Sequence, residues 1–242
     1  MRTVIFQSVR DQILRMMGWN PAVVSALQLE RCVAFMQCNT RQGWEYGFFP
    51  EWTVLEERTP VSQVIAYEQA GQTKMGEIAA VYPYQPDALR DLADGSGRRM
   101  AYTLGSDGIT ILDDLPASGT AWVRFRLQFP RFSTAIYAGG ISPIAGYVVM
   151  WPNNSTDEQQ GGDCYMATQD AQGAWSWVLQ PFPAILEQFV VMKTMADLLR
   201  TEAQPERAAA YEADAADEII RVWRAEGGQQ QLLQRTRFRG CY

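Results

Sequence analysis

The residues able to do chemistry are few, and one type is missing. The chain contains no histidine. That excludes Ser-His-Asp and Cys-His catalysis and every His-ligated metal site. The remaining candidates are cysteines, adjacent carboxylates, one glycine-rich basic loop, a cluster of aromatics and a basic C-terminal stretch. Of the four cysteines, Cys32 and Cys38 are the only near pair. Six residues along a helix turns about 600°, which leaves them about 120° apart around the axis. They make neither a CxxC metal clip nor an easy disulfide, and the thiols read as free. The carboxylate pairs are Glu56/Glu57, Asp113/Asp114 and Asp157/Glu158. Acid-base or metal chemistry needs two carboxylates on one site, whereas neighbours on a strand face opposite ways. They read as solvated turns or edges. Gly95-Ser96-Gly97-Arg98-Arg99 lacks the spacing of a phosphate loop and reads as a hairpin tip. No catalytic residue, metal site or cofactor is expected, and the chain is read as a non-enzyme.

Two features point to binding. Tyr147, Trp151, Tyr165, Trp175 and Trp177 fall in one short stretch. Aromatic platforms stack on sugars or bases, but a small sheet also needs such residues as its core. Trp151, Tyr165, Trp175 and Trp177 are therefore a candidate glycan platform or peripheral contact. Near the C-terminus Arg235, Arg237 and Arg239 alternate with Thr236 and Phe238. In an extended segment the arginines share one side, ready for an acidic partner or phosphate.

The elements that must position these residues follow from periodicity. Phe6, Val9, Ile13 and Met16 mark a helix over 3–17, stopped by Gly18. Asn20-Pro21 predicts the start of a second helix reaching about residue 42, with Ala22, Ala26, Leu29, Val33 and Met36 as its stripe. An aromatic corner spans 43–52. Residues 53–127 read as short strands, with Gly105-Ser106-Asp107-Gly108 as a hairpin turn. The piece 86–94 reads as one helical turn. In 120–129, Trp122, Arg124 and Arg126 take one face, and Val123, Phe125 and Leu127 the other. Residues 147–151, 163–167 and 175–179 read as the strands of a separate β module that projects outward.

The last quarter is helical again. Ile185, Phe189, Met192, Ala196 and Leu199 form one stripe. Gln204-Pro205 breaks the chain, and Ala208, Tyr211, Ala215, Ile219 and Val222 form the next, with Gly227-Gly228 as its end. The expected fold is α+β: N- and C-terminal helix pairs form a bundle around an inserted antiparallel β region. The expected organisation is 1–52 (helix pair), 53–145 (β region), 146–182 (small β module), 183–228 (helix pair) and 229–242 (extended basic tail). Residues 133–156 carry no charge, but their glycines and prolines make a loop-and-strand segment, not a membrane span. The first residues show no signal-peptide pattern.

The two ends of the chain resemble head-to-tail adaptor (connector) proteins of tailed bacteriophages. The resemblance lies in the N-terminal helix pair with the exit Arg41-Gln42-Gly43-Trp44-Glu45-Tyr46. It lies also in Met195-Ala196-Asp197-Leu198-Leu199-Arg200, Gln204-Pro205-Glu206-Arg207-Ala208 and Tyr211-Glu212. It implies a structural virion protein in the neck, made in the host cytoplasm and forming a ring, a dodecamer by expectation. Its partners would be the portal protein, a downstream tail or neck protein, and other copies of itself. DNA would pass through the channel without sequence-specific binding. The resemblance also implies that Arg235, Arg237, Phe238 and Arg239 dock on the portal. With 27 acids against 21 bases the net charge is -6, which suits a conduit that does not grip phosphate. The rival reading is a phage tail or surface component that binds glycan through the aromatic module.

Overall fold

The computed structural model describes residues 3–45, 52–69, 72–86, 99–127, 129–138, 144–152, 159, 161–169 and 173–238. The fold is α+β, with two N-terminal helices and two joined C-terminal helices flanking a central antiparallel β region. The elements are α1 (Phe6–Met16), α2 (Ala26–Glu45), β1 (Thr53–Arg58), β2 (Val64–Ala66), β3 (Met75–Tyr82), β4 (Tyr102–Leu104), β5 (Gly108–Ile111), β6 (Ala121–Leu127), β7 (Val148–Met150), β8 (Cys164–Gln169), β9 (Trp175–Gln180), α3 (Glu187–Thr201) and α4 (Pro205–Phe238). They divide into two compact units, one from Met1–Gly47 with Pro130–Leu232, the other from Phe48–Phe129 with Leu233–Tyr242.

In the first unit the helices pack through part of each expected stripe, while Met16 of the first stripe and Ala22 and Ala26 of the second are exposed. Phe6, Val9, Ile13 and Leu14 of α1 are buried, as are Val33 and Met36 of α2 and Phe189, Met195, Leu198 and Leu199 of α3. Gly43 lets α2 approach closely, since a Cβ there would lie 2.9 Å from Leu186 Cδ1. Helix α2 starts later than its sequence suggests. Asn20 Oδ1 accepts from Ala22 N at 3.1 Å and holds a turn. The cap is Ser25 instead: its hydroxyl accepts from Gln28 N, while Gln28 Oε1 accepts from Ser25 N, both at 3.3 Å.

The sheet β7-β8-β9 belongs to this same unit, so the stretch read as a separate projecting module is joined to the helices. Helix α1 has no side-chain cap of its own. Its first amides are satisfied from across the chain: Phe6 N donates to Asp163 Oδ1 at 3.0 Å, and Gln7 N to Gly162 O at 2.9 Å. Phe132 stacks on Phe6 at 4.8 Å and meets Phe182 at 5.6 Å. Gln37 of α2 pins the chain between them, donating to Pro130 O and accepting from Phe132 N, both at 2.7 Å.

The second unit holds two three-stranded antiparallel sheets, β1-β6-β3 and β2-β5-β4. Ile65, Ile109, Ile111, Val81, Val123 and Phe125 form its buried core. The expected hairpin turn is present, with Gly105 N donating to Gly108 O at 2.8 Å. Gly108 is required there: a Cβ would fall 2.2 Å from Ile65 O. On the β6 face expected to carry Trp122, Arg124 and Arg126, burial is uneven: Arg124 is exposed and Arg126 is buried. Glu77 of β3 meets it as an ion pair.

The last helix runs through Gly227-Gly228 to Phe238, so residues 229–238 are helical where an extended tail was expected. Positions two apart on a helix lie about 200° from each other.

Candidate functional site

Four of the sequence-derived candidates lie in the β7-β8-β9 sheet or beside it, and the structure divides them. Trp151 and Tyr165 are 2% and 7% exposed, so they are core. Trp177 is half-buried and Trp175 is 40% exposed. The ring that organises the cluster was not anticipated. Tyr137 stacks on Trp151 at 4.0 Å, and Trp177 meets both rings edge-on at 5.3 Å. Tyr165 completes the set against Trp151 at 5.6 Å. Tyr137 comes from an irregular segment with no periodic signal, so only its aromatic type marked it. The cluster forms a small core on this sheet, and Trp175 is the most exposed ring of the four proposed.

The opposite side of this sheet meets α1. Arg10 is buried, bonded to Asp11 Oδ1 by both Nε and Nη2 at 2.9 and 2.7 Å, with Nη1 3.5 Å from Met150 Sδ. Burial pushes the Cys32 and Cys164 thiols up to about 12, so both stay protonated and unreactive. Cys38 is exposed. Cys241 lies outside the described residues.

Burial also raises the Asp163 carboxyl above the usual range, against the lowering effect of the Phe6 amide bond. The folded state thus holds this proton more tightly than the unfolded chain, and ionisation as pH rises through the raised value subtracts stability. Asp163→Asn keeps an acceptor oxygen and carries no charge to desolvate. It is expected to stay within about 1 kcal/mol of the parent, whereas Asp163→Ala orphans a buried amide and costs about 1–3 kcal/mol. Urea denaturation of both variants checks this; equal losses would show that the cap is immaterial.

A polar seam joins α2, α3 and α4. Asn39 Nδ2 donates to Thr194 Oγ1 at 3.1 Å and to Asp197 Oδ2 at 3.0 Å. Lys193 Nζ lies 3.1 Å from both Asp197 and Glu212, and Arg200 also pairs with Glu212. Glu212 is thus the acceptor on α4 for two cations of α3. Those bonds, that of Lys193 first, hold its carboxyl below the usual range. Burial pulls the Lys193 ammonium down, but its bonds to Asp197 and Glu212 outweigh this and leave it raised. A lowered carboxylate stabilises above its unfolded pKa, and that contribution fades as pH falls through the folded value. Helicity is expected to weaken as pH falls below the ordinary glutamate range, and Glu212→Gln to flatten that part of the curve. An unchanged acid limb by circular dichroism would contradict the clamp.

In the second unit, Pro83, Arg99, Met100, Asp113 and Asp114 line a cavity of about 300 Å³. Nothing in residue spacing joins Arg99 to that acid pair. Asp113 Oδ2 is engaged, accepting from Ala101 N at 2.7 Å. Glu56 and Glu57 are engaged too, Glu56 by Arg58 and Thr73 and Glu57 by Thr120. Residues 95–98, 46–51, 87–94, Asp157/Glu158 and Arg239 lie outside the described residues. Arg235, Arg237 and Phe238 fall in the last turns of α4. Among the described residues no group of three Cys, Asp or Glu is placed to hold a metal ion, and no helix is long and apolar enough to cross a membrane.

No protein-family model matches the chain, and no curated protein matches it.

Proposed function

We propose that this chain is a structural assembly protein, the head-to-tail adaptor of a tailed bacteriophage. It forms a ring beneath the portal, lines the DNA channel and receives the tail or a further neck protein. The observation that carries this reading is the C-terminal hairpin. The segment 195–200 supplies buried Met195, Ala196, Leu198 and Leu199 to the helical core. Its polar members Asp197 and Arg200 join the seam to Asn39 and Glu212. The turn at Gln204 then launches a 34-residue helix. Residues 1–47 and 130–232 thus form one unit that carries the helices, and residues 48–129 are inserted between its two parts. That organisation suits a subunit whose helices build a ring wall and whose last helix reaches a partner. The net charge of -6 suits passage of DNA.

The glycan reading has less support. Two of its four rings are core, and the remaining pair offers one open face.

Removing residues 229–242 tests the proposal. The truncated chain is expected to keep its helical spectrum and melting temperature within a few degrees, because it retains the buried α4 residues Ala208, Ala215, Ile219 and Val222. Its binding to portal protein is expected to disappear in a sedimentation assay. A truncated chain that binds portal like the full chain would overturn the docking role.

A further inference from the structure

An open sheet edge presents unpaired backbone groups to any passing strand, and proteins guard such edges with charge, bulges or brevity. Most edges here are guarded. Strand β1 carries Glu56 and Glu57, β3 carries Glu77 and two breaks in register, and β2 and β4 have three residues each. The outer side of β7 is taken by residues 135–137: Tyr137 N donates to Met150 O at 2.9 Å, and Met150 N to Ala135 O at 2.8 Å.

Strand β9 differs. It pairs with β8 over all six residues without a bulge, and it contains no charge and no proline. Among the described residues nothing pairs with its outer side. Trp175, Val178 and Leu179 stand 40%, 46% and 36% exposed along it. Across the same sheet the far edge is the 135–137 segment. Its bonds to Met150 come from Ala135 and Tyr137, so the N–H and C=O of Ile136 point away from β7. Ile136 is 58% exposed. Residues 133–138 are also uncharged.

We propose that β9 of one copy pairs with the 135–137 edge of a second copy, so that this sheet continues from subunit to subunit. Two different edges meet, which makes the contact heterologous. A heterologous contact repeats head to tail and closes into a ring when the rotation permits. Backbone bonds supply the pairing, and Trp175, Val178 and Leu179 add apolar contact with Ile136. Neither edge brings a charge that would be buried unpaired. The inference rests on the assembly reading above and names the contact that builds the ring.

The test uses the full chain in sedimentation velocity over a range of concentrations, with circular dichroism to confirm folding. Val178→Lys and Ile136→Lys should each weaken association by at least roughly tenfold, about 1.4 kcal/mol. Trp175→Lys is the substitute for any variant that misfolds. Each variant retains one intact edge, so an equimolar mixture of the two should form dimers and nothing larger. Three results would overturn the inference: a parent chain that stays monomeric, oligomers indifferent to both substitutions, or Ile136→Lys alone dimerising like the parent. The last would mean two β9 strands pair with each other. Failure here is separable from failure of the adaptor reading. Rings that persist in both variants and still bind portal remove only the edge contact. Edge-dependent association in a chain that ignores portal removes only the adaptor.

Discussion

Trp151→Ala is expected to cost the helical unit about 3–5 kcal/mol, the range for deleting a large buried aromatic. The ring is 2% exposed and touches three other aromatics: Tyr137 stacked at 4.0 Å, Trp177 at 5.3 Å and Tyr165 at 5.6 Å. Its removal loses that contact area and leaves a void that the neighbours fill only in part. The damage should spread along the chain. Trp151 N donates to Asp163 O, and Gly162 N to Trp151 O, at 2.8 and 2.7 Å. The same turn supplies Gly162 O and Asp163 Oδ1 to the start of α1. A shift in the turn should therefore loosen the first turn of that helix. Denaturant unfolding measures the loss, and hydrogen exchange at Phe6 and Gln7 measures its spread. Trp175→Ala is the control, and it should lie within about 0.5 kcal/mol of the parent because that ring is exposed. Equal effects for the two tryptophans would contradict the division of the cluster into core and surface.

Arg58→Ala should disable the second unit to a similar degree, by about 3–5 kcal/mol, the cost of breaking a buried ion pair by removing one partner. The Arg58 side chain has no exposure at all. Its Nη1 donates to Gln72 Oε1 at 2.6 Å, while Nη2 reaches Glu56 and the carbonyl of Thr73. The guanidinium also lies 5.3 Å from the centre of the Phe125 ring. One side chain therefore ties β1 to the chain entering β3 and sits against the core strand β6. Arg58→Lys keeps a charge but loses the planar fork, so it should fall between parent and alanine. Arg58→Met removes the charge at similar volume and leaves Glu56 without its cation, held only by the Thr73 hydroxyl; it should resemble Arg58→Ala more than the parent. A lysine variant as stable as the parent would show that charge alone, not the fork, matters.

Burial of this kind marks the limit of what sequence shows. The helical stripes were legible, because a repeat of three and four leaves no other way to hide the apolar groups: Ala208, Ala215, Ile219 and Val222 are all buried on α4. The strands of 53–127 and their hairpin were legible from alternation and turn residues. What failed depended on partners distant in sequence. Alternation places Arg126 on a face but does not say that it is buried there, which rests on Glu77 of the next strand. Asn20-Pro21 resembles a helix start, but the Asn20 side chain closes a turn onto Ala22 and leaves the cap to Ser25. Gly227-Gly228 resembles a stop, yet glycine in a helix interior costs only about 1 kcal/mol, and the glutamine, leucine and arginine that follow are good helix formers. The aromatic cluster was visible as composition. Which rings would be core turned on Tyr137, whose place beside Trp151 nothing local announces.

As proposed above, this chain would build one ring in the phage neck. Its copy number in purified virions, measured by quantitative mass spectrometry against the capsid protein, tests that most directly. One ring's worth per particle is expected, about a dozen copies by analogy with closed cyclic assemblies. Absence from the virion, or copies in the hundreds as in a tail tube or surface decoration, would contradict it.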